Sequence, residues 1–230
     1  MKTIILSSGG VDSTTCLALA VNETESKDVV TLSVFYGQKH NKELECARKA
    51  AAYYGVKHYE FDLSEIMRYS DCPLLLDSTQ KIQHKSYGEQ ITKENGMVST
   101  YVPFRNGLFL SVAASLAMSL FPDEETRILI GAHGDDAAGN AYADCSAAFI
   151  QHMDRAIREG TYGKVRIEAP FARKNKAEVV RTGLALGTPY ELTWSCYEGS
   201  DVPCGTCGTC IDRQKAFDAN GVKDPAIHQR

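Results

Sequence analysis

The sequence predicts an α/β fold, a parallel sheet with helices on both faces, followed by a small C-terminal segment organised by cysteines. Three observations carry this. Short apolar runs alternate with helix-periodic segments along most of the chain, the pattern of βαβ units. A Ser/Gly turn joins the first apolar run to the first helical segment. Four of the eight cysteines fall within 15 residues near the C-terminus.

Residues 2–8 (KTIILSS) read as a buried strand, and Ser8-Gly9-Gly10 is the turn after it. A helix starts at about Asp12 and runs through TTCLALAV. Residues 29–36 (VVTLSVFY), rich in β-branched and aromatic side chains, form the second strand. Leu44, Ala47, Ala51 and Tyr54 recur at helical spacing over residues 41–54, and Gly55 is a stop signal. Residues 58–63 are a third strand. Residues 66–102 then break the rhythm with CPLLLDS, a polar stretch through KENGM, and STYVP. A connection this long is expected to be a lid or an oligomer contact. A long apolar helix over residues 104–121, a strand over 127–132 (RILIGA), a helix over 147–159, a strand over 165–170 and a helix over 174–186 stopped at Gly187 complete the pattern. The expected division is an α/β domain over residues 1–190 and a four-cysteine tail over 191–230 packed on it. Right-handed crossovers place the loops that follow each strand at one edge of the sheet, where ligands bind.

The totals narrow the function classes. A chain of 230 residues, 43% hydrophobic and 23% charged, suits one globular domain with a small appendage. No run approaches the ~18 apolar residues of a membrane span, and MKTIILSS holds no apolar stretch followed by a cleavage site. A cytosolic protein without a membrane partner is expected. The net charge of −4 and isoelectric point of about 5.9 weigh against a stable nucleic-acid partner, which is usually gripped through a basic excess.

The opening LSSGGVDSTT is a phosphate site in prospect. Glycines let backbone N–H groups turn toward an anion, and the helix N-terminus adds about half a positive charge. Ser8 and Ser13 add hydroxyl donors. Asp12 looks misplaced beside an anion unless it holds Mg2+ that neutralises both. No lysine sits where GxxxxGK[ST] needs one, and GxGxxG is absent too. The cysteine spacing is C-x7-C-x2-C-x2-C over Cys196, Cys204, Cys207 and Cys210. Four thiolates around Zn2+ make a closed tetrahedral site that staples the tail. An iron–sulfur cluster is the competing reading of such a run.

SGGVDS, residues 8–13, resembles the pyrophosphatase-loop (PP-loop) ATP enzymes, which split ATP to AMP and pyrophosphate and activate an oxygen as an adenylate. With the cysteine cluster, the chain resembles the 7-cyano-7-deazaguanine synthase family of queuosine biosynthesis. SGGVDSTTCLAL, FYGQKH (residues 35–40), TYVPFRN (100–106) and TWSCYEG with CGTCGTC carry the likeness over most of the chain. One stretch departs: where the family usually reads YPDCRPEF, this chain reads YADCSAAF over residues 142–149, keeping Tyr142, Asp144, Cys145 and Phe149 but placing Ser146 and Ala148 at the charged positions.

The resemblance implies a Rossmann-like fold of the adenine nucleotide alpha hydrolase type and a ligase forming carbon–nitrogen bonds. 7-Carboxy-7-deazaguanine, ammonia and ATP would give the nitrile through adenylated intermediates, in a cytosolic homodimer. The apolar patches at residues 72–76 and around Tyr101 suit a dimer contact. Ser7, Ser8, Gly9, Gly10, Val11, Asp12, Ser13, Thr14, Thr15 and Cys16 would form the ATP segment. Tyr36 and Gln38 would line the adenine pocket. Asp12, Ser13 and Arg105 would be catalytic. Gly131, Asp135, Tyr142 and Asp144 would meet the substrate, Asp135 or Asp136 by binding Mg2+ or the guanine-like ring. His133 could keep ammonia neutral. Three rivals remain at this point. A tRNA-thiolating PP-loop enzyme needs a basic surface, an NAD or GMP synthetase-like ammonia ligase lacks the cysteine tail, and a non-catalytic nucleotide-binding protein with a zinc module would form no product.

Overall fold

The computed structural model describes residues 1–39, 41–93, 98–137 and 141–226. His40 and residues 94–97, which belong to FYGQKH and KENGM quoted above, lie outside the described residues. Among the described residues five strands form one parallel sheet: β1 (Lys2–Leu6), β2 (Val29–Phe35), β3 (Lys57–Asp62), β4 (Thr126–Leu129) and β5 (Val165–Glu168). Their order is β3-β2-β1-β4-β5, and Ile4 of the central strand pairs with Val30 on one side and Ile128 on the other. The expected α/β architecture is therefore present.

Period-two alternation sorts the sheet's side chains to two helical layers. Ile4, Leu6, Leu32 and Ile128 pack against Leu110, Ala113 and Ala117 of α5 (Arg105–Leu120) and Ile150 and Ile157 of α7 (Ala147–Gly160). Ile5, Val29 and Leu129 face the opposite way. They meet Leu17 and Ala20 of α1 (Val11–Glu23), Ala50 and Ala51 of α2 (Lys42–Tyr54) and Val179 of α8 (Lys176–Ala185). Gly55 ends α2 at φ +65°, its N–H donating to the carbonyls of Ala51 and Ala52. Ser146 caps α7 by accepting the Phe149 N–H at 3.1 Å, so the serine in the departing stretch has a structural use.

The irregular segment after β3 holds α3 (Ser64–Met67) and α4 (Tyr87–Lys93). Met67, Cys72, Leu74 and Leu75 are buried against Val34, Tyr36 and Val102. A bridge between Gln38 and Leu75 and the 2.7 Å bond from Leu76 N to Gly37 O fasten the segment over the end of β2. Most of the apolar patch at residues 72–76 thus faces inward, with Leu76 left exposed. After β4 comes α6 (Gly134–Ala137). The tail contributes α9 (Gly208–Asp218), whose Ala216 and Phe217 pack on Val11, Val180 and Tyr190. No helix among the described residues is long and apolar enough to cross a membrane.

Candidate active site

Crossovers from β1 and β4 depart in opposite directions, so a crevice opens beyond their carboxyl ends. A cavity of about 230 Å³ lies there, lined by Ser8, Gly10, Asp12 and Ser13 from one loop and by Gly131 and His133 from the other. The two loops touch: a Cβ on Gly131 would lie 2.9 Å from the Asp12 carbonyl carbon and 3.0 Å from Ser13 N. In the first loop the Ser8 N–H donates to Ser13 Oγ at 3.2 Å, and the Ser8 and Ser13 hydroxyls sit 3.1 Å apart. Gly10 begins α1 without a side-chain cap, which leaves helix-terminal N–H groups for an anion. Gly9 is at φ +76°, with the Glu43 carbonyl oxygen where a Cβ would go.

Next to this loop lies a knot of charge. Lys176 Nζ donates to Asp12 Oδ2 and lies 3.4 Å from His133 Nε2. That His133 nitrogen is 3.8 Å from Asp12 Oδ1 and 3.4 Å from Asp136 Oδ1. Burial works to raise the Asp12 pKa, but the Lys176 and His133 charges outweigh it and hold the carboxyl below its ordinary value. Burial wins at Asp136, which is raised even though the same two neighbours pull it down. Asp12 Oδ1 is buried and has no hydrogen-bond partner. Lys176 was not foreseen from sequence. Asn175 and Glu178 form a capping box that starts α8, and this puts Lys176 in its first turn, aimed at the loop.

The other end of the cavity is aromatic and cationic. Phe104 adopts a left-handed conformation (φ 53°) as the cap of α5, an uncommon state for a bulky residue, and Arg105 follows it. Arg105 donates to the Tyr36 hydroxyl at 3.2 Å, and its guanidinium lies 5.3 Å from that ring's centre. Burial pushes the Tyr36 hydroxyl up to about 12 even though Arg105 opposes it. The Gln38 side chain turns back to accept the Tyr36 N–H at 2.8 Å. Tyr142, bonded to Thr100 at 2.7 Å, stands edge-on to Tyr87, whose hydroxyl lies 2.8 Å from that of Tyr197. Glu43, from the first turn of α2, completes the lining. Tyr87, Tyr197 and Glu43 were also missed, because no local pattern marks them.

Of the residues expected to touch ATP, Ser7, Ser8, Gly10, Val11, Asp12, Ser13, Tyr36 and Gln38 line the cavity. Gly9 lies behind it, against α2. Thr14, Thr15 and Cys16 are fully buried, and the Thr15 hydroxyl bonds Tyr190 at 2.8 Å. Cys16 packs in the core under α1, where burial pushes its thiol pKa well up. Arg105, Gly131 and Tyr142 line the cavity as well. Asp144 lies behind it, accepting the Asn106 N–H at 2.9 Å. Asp135 faces outward and accepts the Lys176 N–H at 2.7 Å.

The four tail cysteines come together with their sulfurs within 4.8 Å of one another, a set that could hold a metal ion. Backbone N–H groups of Glu198 and Cys204 point at Cys196 Sγ at 3.4 and 3.3 Å, an arrangement that favours thiolate. Hydrogen bonds from Cys207 and Cys210 lower the Cys196 pKa further, while the same sharing raises those of the two donors.

Residues 2–221 match the family model of the queuosine biosynthesis protein QueC. The chain belongs to the QueC family. It is 40% identical over 231 residues to the 7-cyano-7-deazaguanine synthase of Archaeoglobus fulgidus, covering 99% of this chain and 90% of that one. It is 41% identical over 227 residues to the 7-cyano-7-deazaguanine synthase of Porphyromonas gingivalis, covering 98% and 96%. The fold is shared more widely. NMN synthetase from Francisella tularensis superposes with a TM-score of 0.51 at 12% identity, over 96% of this chain and 78% of that one. The U34-tRNA thiolase NcsA from Methanococcus maripaludis does so with 0.51 at 15% identity, over 95% and 66%. QueC membership thus joins a PP-loop fold to a four-cysteine cluster in one chain.

Proposed function

We propose that the protein converts 7-carboxy-7-deazaguanine, ammonia and ATP to 7-cyano-7-deazaguanine, with AMP and pyrophosphate as by-products. The observation that carries this is end-to-end similarity to relatives bearing that activity's name, at 40% identity over 99% of the chain. The same observation favours it over tRNA thiolation and over a non-catalytic role.

The chemistry explains the ATP. A carboxylate is a poor electrophile without a leaving group. Adenylation supplies AMP as leaving group, ammonia displaces it to give an amide, and a second adenylation removes the amide oxygen. Each round presents an oxygen to the α-phosphate, so one cavity serves both. Ser8, Gly10, Ser13 and the α1 N-terminus would hold the pyrophosphate portion. Lys176 would add positive charge beside it, and Arg105 would hold the substrate carboxylate as charge moves off it. Gly131 would let the ligand pass close to backbone, with Tyr142, Tyr87 and Tyr197 walling a planar ring. Asp144 would steady Asn106 from behind, and Asp135 the start of α8.

The bare, buried Asp12 Oδ1 fits a magnesium ligand; Mg2+ would be held there and would neutralise phosphate charge. Zn2+ would be held by Cys196, Cys204, Cys207 and Cys210, whose sulfur-only donor set fits a structural site. A colourless protein with one zinc per chain supports this; a brown one with visible absorption points to an iron–sulfur cluster instead. The cytosol suits a reduced thiol cluster. Exposed Leu76 and Phe104 support self-association, which light scattering would test. The deciding experiment is mass spectrometry after incubation with carboxy-deazaguanine, ammonium, ATP and magnesium. Nitrile and AMP are expected; ADP alone, or no nitrile, refutes the proposal.

A further inference from the structure

Amide formation leaves a proton to be disposed of, and the cavity holds an unclaimed carboxyl. Glu43 lines it from the first turn of α2. Its backbone is wedged against the phosphate loop, where the Glu43 carbonyl oxygen occupies the space a Cβ on Gly9 would need. Arg105 is the cation that acts on it from across the cavity. Among the described residues no hydrogen bond or ion pair engages the Glu43 carboxyl.

The alternatives are committed elsewhere. Asp12 is tied to Lys176. His133 sits between Asp12, Asp136 and Lys176. Asp212 also lines the cavity, and burial raises its carboxyl above the ordinary value, but two lysines, Lys176 and Lys215, act on it and compete for its charge.

We propose, resting on the function above, that Glu43 accepts the proton released when nitrogen is joined to the substrate. Ammonia's lone pair forms the C–N bond to the acyl adenylate, and AMP leaves with the C–O pair. The proton then passes from the cationic nitrogen to the Glu43 carboxylate, and from there to solvent. In the second round the amide nitrogen gives up one proton as its oxygen is adenylated, and the imidate N–H proton as the C–O bond to AMP breaks and the C≡N bond forms, and both take the same path. Burial pushes the Glu43 carboxyl up to about 7 against the pull of Arg105, and Cys196 adds to the rise, a value suited to taking and returning a proton near neutrality.

The test separates the two half-reactions. Adenylation releases pyrophosphate before any nitrogen is bound, and it is read as carboxy-deazaguanine-dependent ATP–pyrophosphate exchange. In Glu43→Gln, exchange is expected to stay within about threefold of wild type. Ammonia-dependent nitrile formation should fall about 100-fold or more, the usual worth of a general base. Hydroxylamine adds a nitrogen that is more acidic once bonded, so hydroxamate formation should fall much less. Glu43→Asp, which keeps a carboxyl, should recover part of the nitrile rate. Parallel loss of exchange and nitrile in Glu43→Gln overturns the assignment, as does an undiminished nitrile rate or an equal loss with hydroxylamine. Wild-type protein without substrate-dependent exchange would instead sink the function itself, and this inference with it.

Discussion

Replacing Gly9 by alanine tests whether the phosphate loop is held by backbone packing against α2. Two costs combine. The φ of +76° disfavours a side chain by about 1–2 kcal/mol. A Cβ would also lie 2.1 Å from Glu43 O and 2.7 Å from Ala47 N. Both are backbone atoms of α2 and cannot rotate aside. Overpacking of that kind costs about 1–3 kcal/mol, for a total of about 2–5 kcal/mol. At about 2–4 °C per kcal/mol for a chain of this size, melting should drop by roughly 4–20 °C. Gly55→Ala isolates the first cost, since Gly55 sits at φ +65° with nothing within 4 Å of a Cβ. Gly10→Ala lacks it, because its φ is −85°, and its nearest neighbour is a side-chain atom, Ser8 Oγ at 3.3 Å. The assays are melting by fluorimetry and ATP affinity by calorimetry. Gly9→Ala should melt lowest and bind ATP most weakly. If Gly9→Ala melts within 2 °C of Gly55→Ala and binds ATP like wild type, the packing argument is wrong.

Three further outcomes are expected. Asp12→Ala should abolish AMP production while circular dichroism stays native-like, and near-normal turnover would remove its assigned role. Cys204→Ser should lower bound zinc and solubility together, as metal analysis of the purified variant would report; unchanged zinc would exclude Cys204 as a ligand. Glu43 has a folded-state pKa of about 7, above its ordinary 4.5. A raised carboxyl keeps its full stability below the unfolded pKa and loses it as pH climbs through the folded one. Glu43→Gln should therefore gain stability relative to wild type between about pH 4.5 and 7.5, and melting curves that stay parallel across that range contradict the raised value.

The sheet was legible because its strands are short apolar runs bounded by turn residues. Their ends were not. β1 stops at Leu6 and β4 at Leu129, two or three residues before the expected strands end, because the following residues turn into the crevice. SGGVDS was legible because a local motif makes a local structure. Lys176 was not: its partner Asp12 lies 164 residues away, and KNKAEV reads only as a helix start. Glu43 belongs to a helix whose charged residues read as a solvated face, and only the packing of α2 on Gly9 carries it to the cavity. α9 was missed because its turns begin inside the cysteine run, where the metal spacing masks the helical one.

The cysteine segment is better understood as the rear wall of the site than as an appendage. Trp194 donates its backbone N–H to Gly9 O at 2.9 Å and its indole N–H to Cys196 O at 2.8 Å. A single residue thus joins the phosphate loop to the first cysteine. Lys42, beside Glu43, stacks on that indole 4.7 Å from its centre. One residue beyond Cys196, Tyr197 reaches Tyr87 on the cavity wall. Arg213 anchors the far side, bonded to Asp224 at 2.6 Å, the Tyr190 carbonyl at 3.3 Å and Ser195 Oγ at 3.2 Å. A buried guanidinium keeps such a position only with its partners in place. Trp194 thus ties the backbone beside the cysteine cluster directly to that of the phosphate loop.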